Sequence, residues 1–327
     1  MNFHLQIIGV VMVGGIAFIA VLQHHLDQVS PGLVGLAISY SLSVTNLLCG
    51  GVNFFTETEK QMVSVERTKH YIDNLPAEHS EGSLIVSPVW PTAGIIQFKN
   101  VCLQYRESLP NALSDVTFHT LPGEKIGIVG RTGSGKSSLF LALFRIVEIN
   151  SGSITLDNTN LLFIDLKDVR SRLAIIPQDP FLFSGTVREN LDPTLSYSDS
   201  DLFSVLERCH LKVQVDRLGG LDASVGERGK HFSVGQRQLV CLARALLTKA
   251  RVLCIDEATA SIDVETDQLI QERIKEEFHS STVLTIAHRI DTILNSDRVL
   301  VMCEGHVAEF DKPNTLLQNK ESLFYKL

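Results

Sequence analysis

Several features that would mark a familiar class of protein are missing from this sequence. It has no excess of positive charge, because 29 Lys and Arg stand against 37 Asp and Glu, for a formal net charge of −8. Bulk electrostatics therefore do not favour DNA or RNA, and we expect no nucleic-acid partner. The six cysteines form no C-x-x-C pair and several lie in apolar runs, which indicates reduced, buried thiols in a cytosolic domain. No internal repeat is found.

Two long apolar runs occupy the start of the chain, residues 3–22 and 33–55. Each has roughly the 20 residues that a helix needs to cross a bilayer, and the short connection contains Pro31 and Gly32. The sequence thus predicts a transmembrane helical hairpin. A signal peptide is one rival for the first run, but no Lys or Arg precedes it and no A-x-A site follows. A buried hairpin of a soluble protein is the other rival.

The charges beside these runs predict their orientation. The connection has no Lys or Arg, whereas Lys60, Arg67 and Lys69 follow the second run. The positive-inside rule then places the chain after Phe55 in the cytosol of an integral membrane protein, in a plasma or intracellular membrane. The hairpin is expected to contact membrane lipid, but small polar residues in the second run are costly to place against lipid. They predict packing against further transmembrane helices or a substrate path: Ser39, Ser41, Ser43, Thr45 and Asn46.

The composition changes twice more along the chain. Residues 57–72 predict a polar-faced helix that continues the second span, so residues 1–72 form a partial transmembrane domain. Residues 73–94 are rich in Pro, Gly and Ser and predict a linker. From residue 95 to 327 short apolar runs alternate with helical stretches, which predicts an α/β domain with a mostly parallel sheet. Within it we predict strands at 95–105, 125–130, 172–177, 251–256 and 281–287, a hairpin at 297–310 turning at Glu304–Gly305, and helices at 137–147 and 236–247.

The residues 130–138 read GRTGSGKSS and match G-x-x-x-x-G-K-[ST], between a predicted strand and a predicted helix. Glycines let the backbone N–H groups wrap phosphates, and the helix N-terminus adds its partial positive charge. Lys136 is predicted to reach the β- and γ-phosphates, and the Ser137 hydroxyl to bind Mg²⁺. The predicted nucleotide-binding residues are Gly130, Arg131, Thr132, Gly133, Ser134, Gly135, Lys136, Ser137 and Ser138.

A second motif supplies two acids. In RVLCIDE, residues 251–257, four apolar residues form a buried strand that ends in Asp256 and Glu257. We expect Asp256 to hold Mg²⁺ and Glu257 to polarise an attacking water. These motifs predict the binding of ATP with Mg²⁺ and hydrolysis of its terminal phosphate. The guanine-reading motif N-K-x-D of GTPases is not found.

Other motifs, in order along the chain, resemble those of the ATP-binding-cassette (ABC) proteins. FSVGQRQ, residues 232–238, resembles the signature L-S-G-G-Q, and Tyr105 resembles the aromatic residue that stacks on adenine. Gln178 resembles the Q-loop glutamine, which contacts Mg²⁺ and the attacking water. ASID, ending at Asp263, resembles the D-loop, and His288 resembles the switch histidine at the γ-phosphate. The resemblance implies a P-loop ABC-type ATPase domain with a helical subdomain, and Glu257, His288 and Gln178 as its catalytic residues.

The stretches 175–193 and 226–238 and the run SVERTKHY resemble the second cassette of subfamily C, the multidrug-resistance-associated proteins. That resemblance implies export of organic anions or drugs, and a second nucleotide-binding domain paired head to tail. The signature residues then hold the partner's ATP: Ser233, Val234, Gly235 and Gln236. Val234 replaces a signature glycine, and its Cβ is expected to restrict the backbone there.

Two rival functions are considered beside an active exporter module. One is a truncated, membrane-tethered nucleotide-binding isoform that transports little and regulates a full transporter. The other is an ABC ATPase of the DNA-repair or chromosome type, which would place long coiled-coil heptads between the two motifs. The 120 positions from Lys136 to Asp256 leave no room for them (256 − 136), and the apolar N-terminus also argues against this class.

Overall fold

The computed structural model describes residues 2–24, 31–75, 78, 82–256, 264–287 and 293–326. The chain divides into two compact units, Met1–Glu78 and His79–Leu327. The division falls inside the segment 73–94 that the composition predicts as a linker.

The first unit consists of helices α1 (Asn2–His24) and α2 (Pro31–Asn74), so both apolar runs are helical. By length and hydropathy, the stretch Gly32–Asn74 is able to cross a membrane, while the apolar helix Gln6–Leu22 is shorter. The predicted polar helix 57–72 is the second half of α2, without a break. Most of the large apolar side chains of both helices are exposed.

The small polar residues of α2 are partly satisfied by their own helix. The hydroxyl of Ser43 donates to the main-chain oxygen of Ser39 at 2.9 Å, and Thr56 donates to Val52 at 2.9 Å. Such bonds to the preceding turn reduce the cost of placing a hydroxyl in an apolar environment. These residues are therefore compatible with a membrane-spanning helix.

The second unit contains two sheets. A six-stranded sheet has the order β10-β9-β3-β8-β7-β6, parallel except for β10, and a four-stranded antiparallel sheet has the order β2-β1-β4-β5. The strands are β1 (Ile96–Leu103), β2 (Leu113–His119), β3 (Lys125–Val129), β4 (Ser151–Leu156), β5 (Thr159–Asn160), β6 (Leu173–Ile176), β7 (Val252–Asp256), β8 (Thr282–Ile286), β9 (Arg298–Cys303) and β10 (His306–Asp311). The predicted mostly parallel sheet is confirmed, and the antiparallel sheet was not predicted.

Helices cover the six-stranded sheet and form a subdomain between β6 and β7. They are α3 (Lys136–Leu143), α4 (Leu166–Arg172), α5 (Val187–Leu191), α6 (Asp199–Arg208), α7 (Lys212–Leu218), α8 (Val234–Thr248), α9 (Val264–Glu277), α10 (Pro313–Gln318) and α11 (Leu323–Lys326), with 3₁₀ turns at Leu161–Phe163 and Glu227–Gly229. The four helices α5 to α8 lie between these two strands, which confirms the predicted helical subdomain.

The central strands bury both faces, as parallel strands flanked by helices must. In β7, Val252 and Cys254 join the core shared with α3 and the antiparallel sheet. Leu253 and Ile255 point to the opposite face and join the core built around α8. This alternation explains why the predicted strand reads as a continuous apolar run.

One predicted helix is too long. Residues 137–147 were expected to be helical, but α3 ends at Leu143. Phe144 forms the C-cap, and Arg145 takes φ +49°, in the left-handed region that ends an α-helix. The Arg145 guanidinium is buried and donates to the main-chain oxygens of Leu161 and Ile164, both at 3.0 Å. Long-range contacts therefore decide where this helix stops.

Part of the predicted linker packs on the second unit. The indole nitrogen of Trp90 donates to the main-chain oxygen of Leu156 at 3.2 Å. The carboxylate of Asp157 accepts from the backbone N–H groups of Thr92 at 2.6 Å, Ala93 at 2.9 Å and Ile95 at 2.8 Å. Burial opposes the charge of Asp157, but these bonds still lower its pKa below the usual value. The segment before β1 is thus held by one buried indole and one carboxylate.

The six cysteines are free thiols, and three of them are buried: Cys209, Cys241 and Cys254. Burial raises the pKa of Cys209 to about 12 and also raises the pKa of Cys254. Both thiols are therefore protonated at neutral pH and unreactive. Cys49 and Cys102 are half-buried and Cys303 is exposed, so the expectation of buried thiols is wrong for Cys303.

Candidate functional site

The phosphate loop, residues 130–138, runs from the end of β3 into α3. Gly130 has φ +151°, and a Cβ there would lie 2.3 Å from the main-chain oxygen of Met302. Gly135 has φ +99°, and a Cβ there would lie 2.6 Å from the main-chain oxygen of Ala112. Both contacts are closer than any side chain tolerates, so these two positions need glycine. The backbone itself forms the wall of the loop, as the motif predicts.

Lys136 is the first residue of α3 and is 7% exposed. Its ammonium group donates to the main-chain oxygens of Gly130 at 2.8 Å and Arg131 at 3.1 Å. An ammonium group has three N–H donors, so these two bonds leave one for a phosphate oxygen. The positive charge and the N-terminus of α3 act on the same volume, which favours an anion there.

The loop is fixed to the β9–β10 hairpin. The main-chain oxygen of Ser134 accepts from the N–H of Gly305 at 3.1 Å, and Ser134 is buried. Arg131, Thr132 and Gly133 are exposed at the tip of the loop. A cleft of about 480 Å³ flanks the loop on this side and is lined by residues 130–134, 301–304, Leu323 and Lys326.

Tyr105 lies beside the first turn of α3. Its hydroxyl is 2.8 Å from the hydroxyl of Ser138, while 46% of the residue remains exposed. Ser138 is buried, whereas Ser137 is exposed at the start of the helix. The hydrogen bond positions the aromatic ring next to the loop, where the exposed part of Tyr105 is available for stacking. The exposed hydroxyl of Ser137 is available to a metal.

Asp256 ends β7, two strands from the phosphate loop. In the parallel register Asp256 lies opposite Ile286 of β8, and Ile286 lies opposite Ile128 of β3. The half-buried carboxylate is therefore level with the end of β3, at the carboxyl edge of the sheet where the loop begins. Ligand sites of open α/β sheets form at this edge.

Gln178 follows the neighbouring strand β6 by two residues and is exposed. Its main-chain oxygen accepts from the side-chain amide of Gln238 at 3.2 Å. Gln238 is 2% exposed and lies on α8. Gln238 was not singled out from the sequence. The signal that could have identified it is a side-chain amide on the apolar face of a predicted helix. The bond connects the segment after β6 to the helix of the predicted signature motif.

The signature residues form the start of α8. Ser233 is the N-cap: its hydroxyl accepts from the N–H of Gln236 at 3.1 Å, and the Gln236 side chain accepts from the N–H of Ser233 at 3.0 Å. Val234 is the first helical residue and is 38% exposed. Any residue can adopt a helical backbone, so the expected restriction of the backbone by the Cβ of Val234 adds no conformational strain here.

Three predicted site residues lie outside the described residues: Glu257, Asp263 and His288. Glu257 and Asp263 come after Asp256, the last described residue of that part of the chain. His288 comes directly after Ala287, which follows β8. Among the described residues, no group of three or more His, Cys, Asp or Glu is arranged to hold a metal ion. A metal here would need the Ser137 hydroxyl, the Asp256 carboxylate and phosphate oxygens, which are the hard ligands that Mg²⁺ prefers.

Comparison of the sequence with known protein families agrees with the geometry of the phosphate loop. The ABC transporter family matches residues 113–260, which include the phosphate loop, the signature residues and Asp256. This chain contains an ABC transporter domain. ABC domains bind ATP, and the glycine-walled loop, Lys136 and the ring of Tyr105 fit that nucleotide.

Similarity to curated ABC proteins extends over the whole chain. It is 55% identical over 333 residues to ATP-binding cassette sub-family C member 10 of Mus musculus, covering 100% of this chain and 22% of that protein. It is 47% identical over 332 residues to the metal resistance protein YCF1 of Saccharomyces cerevisiae, covering 99% and 22%. The chain thus resembles subfamily C, the multidrug-resistance-associated proteins, and spans about a fifth of the length of these relatives.

Proposed function

We propose that this chain binds Mg·ATP at residues 130–138 and hydrolyses it as one nucleotide-binding domain of a subfamily C exporter. The observation that carries the proposal is the shared edge of the sheet. There the register places Asp256 level with the end of β3, from which the phosphate loop starts. An acid and a phosphate cradle at one edge are what phosphoryl transfer to water requires.

Each residue then has a role set by its position. Lys136 donates its remaining N–H to a phosphate oxygen. The backbone N–H groups of the loop bind the other phosphate oxygens. Ser137, Asp256 and Gln178 are the proposed ligands of Mg²⁺, which when bound would neutralise charge on the β- and γ-phosphates. Tyr105 stacks on the adenine ring.

The hydrolytic step is assigned to residues next to described strands. Glu257, directly after β7, accepts a proton from the attacking water as general base. His288, two residues after β8, contacts the γ-phosphate. Asp263 belongs to the D-loop that faces the partner domain. These assignments rest on the resemblance to ABC proteins and on the strands that precede the residues.

A second nucleotide-binding domain is the proposed partner. The N-terminus of α8 presents Ser233 and the backbone of Gly235, with Val234 and Gln236 beside them. A capped helix N-terminus is suited to a γ-phosphate held by another domain, since its N–H groups and dipole favour an anion. Two domains related head to tail would each supply half of both ATP sites.

Transport is assigned to the larger assembly. We propose that α1 and α2 cross a plasma or intracellular membrane beside the remaining transmembrane helices of the transporter, in contact with lipid, with the ATPase domain in the cytosol. Exposed apolar side chains along both helices support this placement, with Val10 72% and Phe54 78% exposed. Organic anions or drugs are the proposed cargo, by resemblance to subfamily C.

The test is ATP turnover by the purified chain, with and without a second cassette of the same subfamily. Glu257→Gln should leave ATP binding in place and slow hydrolysis by about 10²-fold or more, because the general base is lost. Lys136→Ala should weaken ATP binding itself. Unchanged turnover in Glu257→Gln would remove that residue from its role. Turnover that stays negligible with a partner cassette present would favour the membrane-tethered regulator over the active exporter module.

A further inference from the structure

A second cleft lies at the amino ends of β6 and β7, the edge of the sheet opposite the phosphate loop. Its volume is about 410 Å³, which is within the range of small-molecule sites. One wall is the segment 88–92, which precedes β1. The other walls come from the ends of α4 and α8 and the entry to β7, at residues 171–172 and 248–251. No role in the nucleotide site accounts for it.

The described charged residues that line this cleft are all cations: Arg172, Lys249 and Arg251. None of its described lining residues is Asp or Glu, although the chain has a net charge of −8. Among the described residues, none of the three cations is in an ion pair. Lys249 acts on Asp201 at longer range, where hydrogen bonds from Ser198 are the larger cause of a lowered pKa. The described lining of the cleft therefore concentrates positive charge and supplies no carboxylate to pair with it.

The three cations differ in how firmly they are held. Arg172 donates through Nη1 to the main-chain oxygens of Pro88, at 2.6 Å, and Trp90. Arg251 donates to the hydroxyl of Ser280 at 3.3 Å, and Lys249 is exposed. A guanidinium group has five N–H donors, so both arginines keep donors for a ligand. One arginine is thus built into the wall while the other two cations face solvent.

A simpler explanation is that these cations serve the helix ends. Arg172 is the last residue of α4 and Lys249 is the C-cap of α8, and the C-terminus of a helix favours positive charge. This explanation does not include Arg251, which lies outside both helices, directly before β7. It also predicts no affinity for anions, which separates it from a binding site.

We propose that this cleft binds a compact anion carrying two or more phosphoryl groups. Planar guanidinium groups and an ammonium group are the donors that phosphate oxygens select. A bound anion would bridge Arg172, at the end of α4, and Lys249 and Arg251, between α8 and β7. Because Arg172 also donates to the main-chain oxygens of Pro88 and Trp90, the bound anion would help to hold the segment that leads into β1 against the sheet. The phosphoryl groups would come from a soluble oligophosphate or from a lipid headgroup.

The chain contains a natural reporter of this site. Trp90 is the only tryptophan of the sequence and lines the cleft. We propose to titrate inorganic tripolyphosphate into the full chain in detergent and to follow tryptophan fluorescence. The expected result is a saturable change that persists in Lys136→Ala, in which the phosphate loop is impaired. No saturable change would overturn the proposal, whatever the ATPase activity, so its failure is distinct from failure of the proposed function.

Charge variants test the assignment of the residues. Lys249→Gln with Arg251→Gln should weaken tripolyphosphate binding by about tenfold or more, since two charge-assisted contacts are lost. The matched control, Lys230→Gln with Lys320→Gln, removes the same charge from exposed positions outside the cleft and should bind as the unmodified chain does. Lys249→Arg with Arg251→Lys keeps the charge and should retain binding even if the first pair folds poorly. Equal affinity in the neutral pair and the control, or loss in the charge-preserving pair, would overturn the proposal.

Nanodiscs distinguish the two sources of the phosphoryl groups. In discs of phosphatidylcholine alone, a soluble ligand should produce the fluorescence change by itself. In discs that contain a phosphatidylinositol bisphosphate, a lipid source should produce the change before tripolyphosphate is added and raise the concentration then needed. Absence of a change in both discs would overturn the proposal.

Discussion

The side-chain amide of Gln238 donates a 3.2 Å hydrogen bond to the main-chain oxygen of Gln178. The two residues are 60 positions apart in the chain and belong to different motifs. Gln178 follows the sheet strand β6, whereas Gln238 lies on α8, the helix that carries the signature residues. The bond directly connects the segment proposed to contact Mg²⁺ with the helix proposed to contact the partner domain.

The first prediction concerns this bond. Gln238→Ala should lower the free energy of unfolding by about 1–3 kcal/mol, because a buried amide and its hydrogen bond are lost. ATP hydrolysis with a partner domain should fall more than ATP binding does, because the position of Gln178 is loosened. Thermal unfolding, nucleotide binding and turnover measure the three effects.

Gln268→Ala is the matched control for that variant. Gln268 lies on α9 and is exposed, so its truncation should change stability by less than about 0.5 kcal/mol. Equal losses of ATP binding and turnover in Gln238→Ala would show that the residue has only a structural role.

The second prediction separates backbone strain from steric clash in the phosphate loop. Gly133 and Gly135 both have positive φ, +82° and +99°, but a Cβ at Gly133 meets nothing within 4 Å. Gly133→Ala should therefore cost only the left-handed conformation, about 1–2 kcal/mol. Gly135→Ala should cost more, because its Cβ would also meet the main-chain oxygen of Ala112 at 2.6 Å.

Equilibrium binding of a fluorescent ATP analogue and thermal unfolding measure both glycine variants. We expect ATP affinity to fall at least tenfold further in Gly135→Ala than in Gly133→Ala. Similar affinities in the two variants would mean that the loop relaxes around the clash.

The third prediction concerns the two parts of Tyr105. Tyr105→Ala removes the ring and should weaken ATP binding several-fold, since aromatic stacking contributes about 0.5–1.5 kcal/mol. Tyr105→Phe removes only the 2.8 Å contact with the Ser138 hydroxyl and should retain most of the affinity. Competition between ATP and a triphosphate without a base checks the cause, because only ATP should lose affinity. A Tyr105→Ala chain that binds ATP normally would exclude stacking.

The fourth prediction concerns pH. The folded pKa of Asp157 is lowered, so its contribution to stability is present above the pKa of the unfolded chain, near 4, and is lost as pH falls through the folded pKa. Asp157→Asn should therefore destabilise the domain at pH 7, by roughly 1–3 kcal/mol, because the charge-assisted bonds from Thr92, Ala93 and Ile95 are weakened.

Denaturant unfolding over a series of decreasing pH values, starting at pH 7, measures this dependence. The difference between Asp157→Asn and the unmodified chain should shrink as the pH falls through the lowered folded pKa of Asp157, because the carboxylate then becomes neutral as the amide is. Asp311→Asn is the matched control, since Asp311 is exposed at the end of β10. A stability difference that stays constant with pH would contradict the assigned role of the charge.

Several strands and one helix were predictable from the sequence because their signals are local. The hairpin with its turn at Glu304–Gly305 and the apolar strand before Asp256 appear where the pattern places them. Strand β1 was predicted, but its antiparallel partners were missed because their sequences are mixed in polarity, such as SGSITL in β4. The end of α3 was misplaced because a buried Arg145, bonded to distant carbonyls, decides it.

The sequence alone determined the phosphate loop, since three closely spaced glycines, Lys136 and a helix start define it within a few residues. It also determined the two apolar helices, because length and hydropathy are local properties. Only the tertiary structure decided that β8 lies between β3 and β7, which brings Asp256 to the edge where the loop begins. The same holds for the contacts of Tyr105 with Ser138 and of Gln238 with Gln178. Strand order and buried polar contacts join residues far apart in the chain, and no local pattern encodes such pairings.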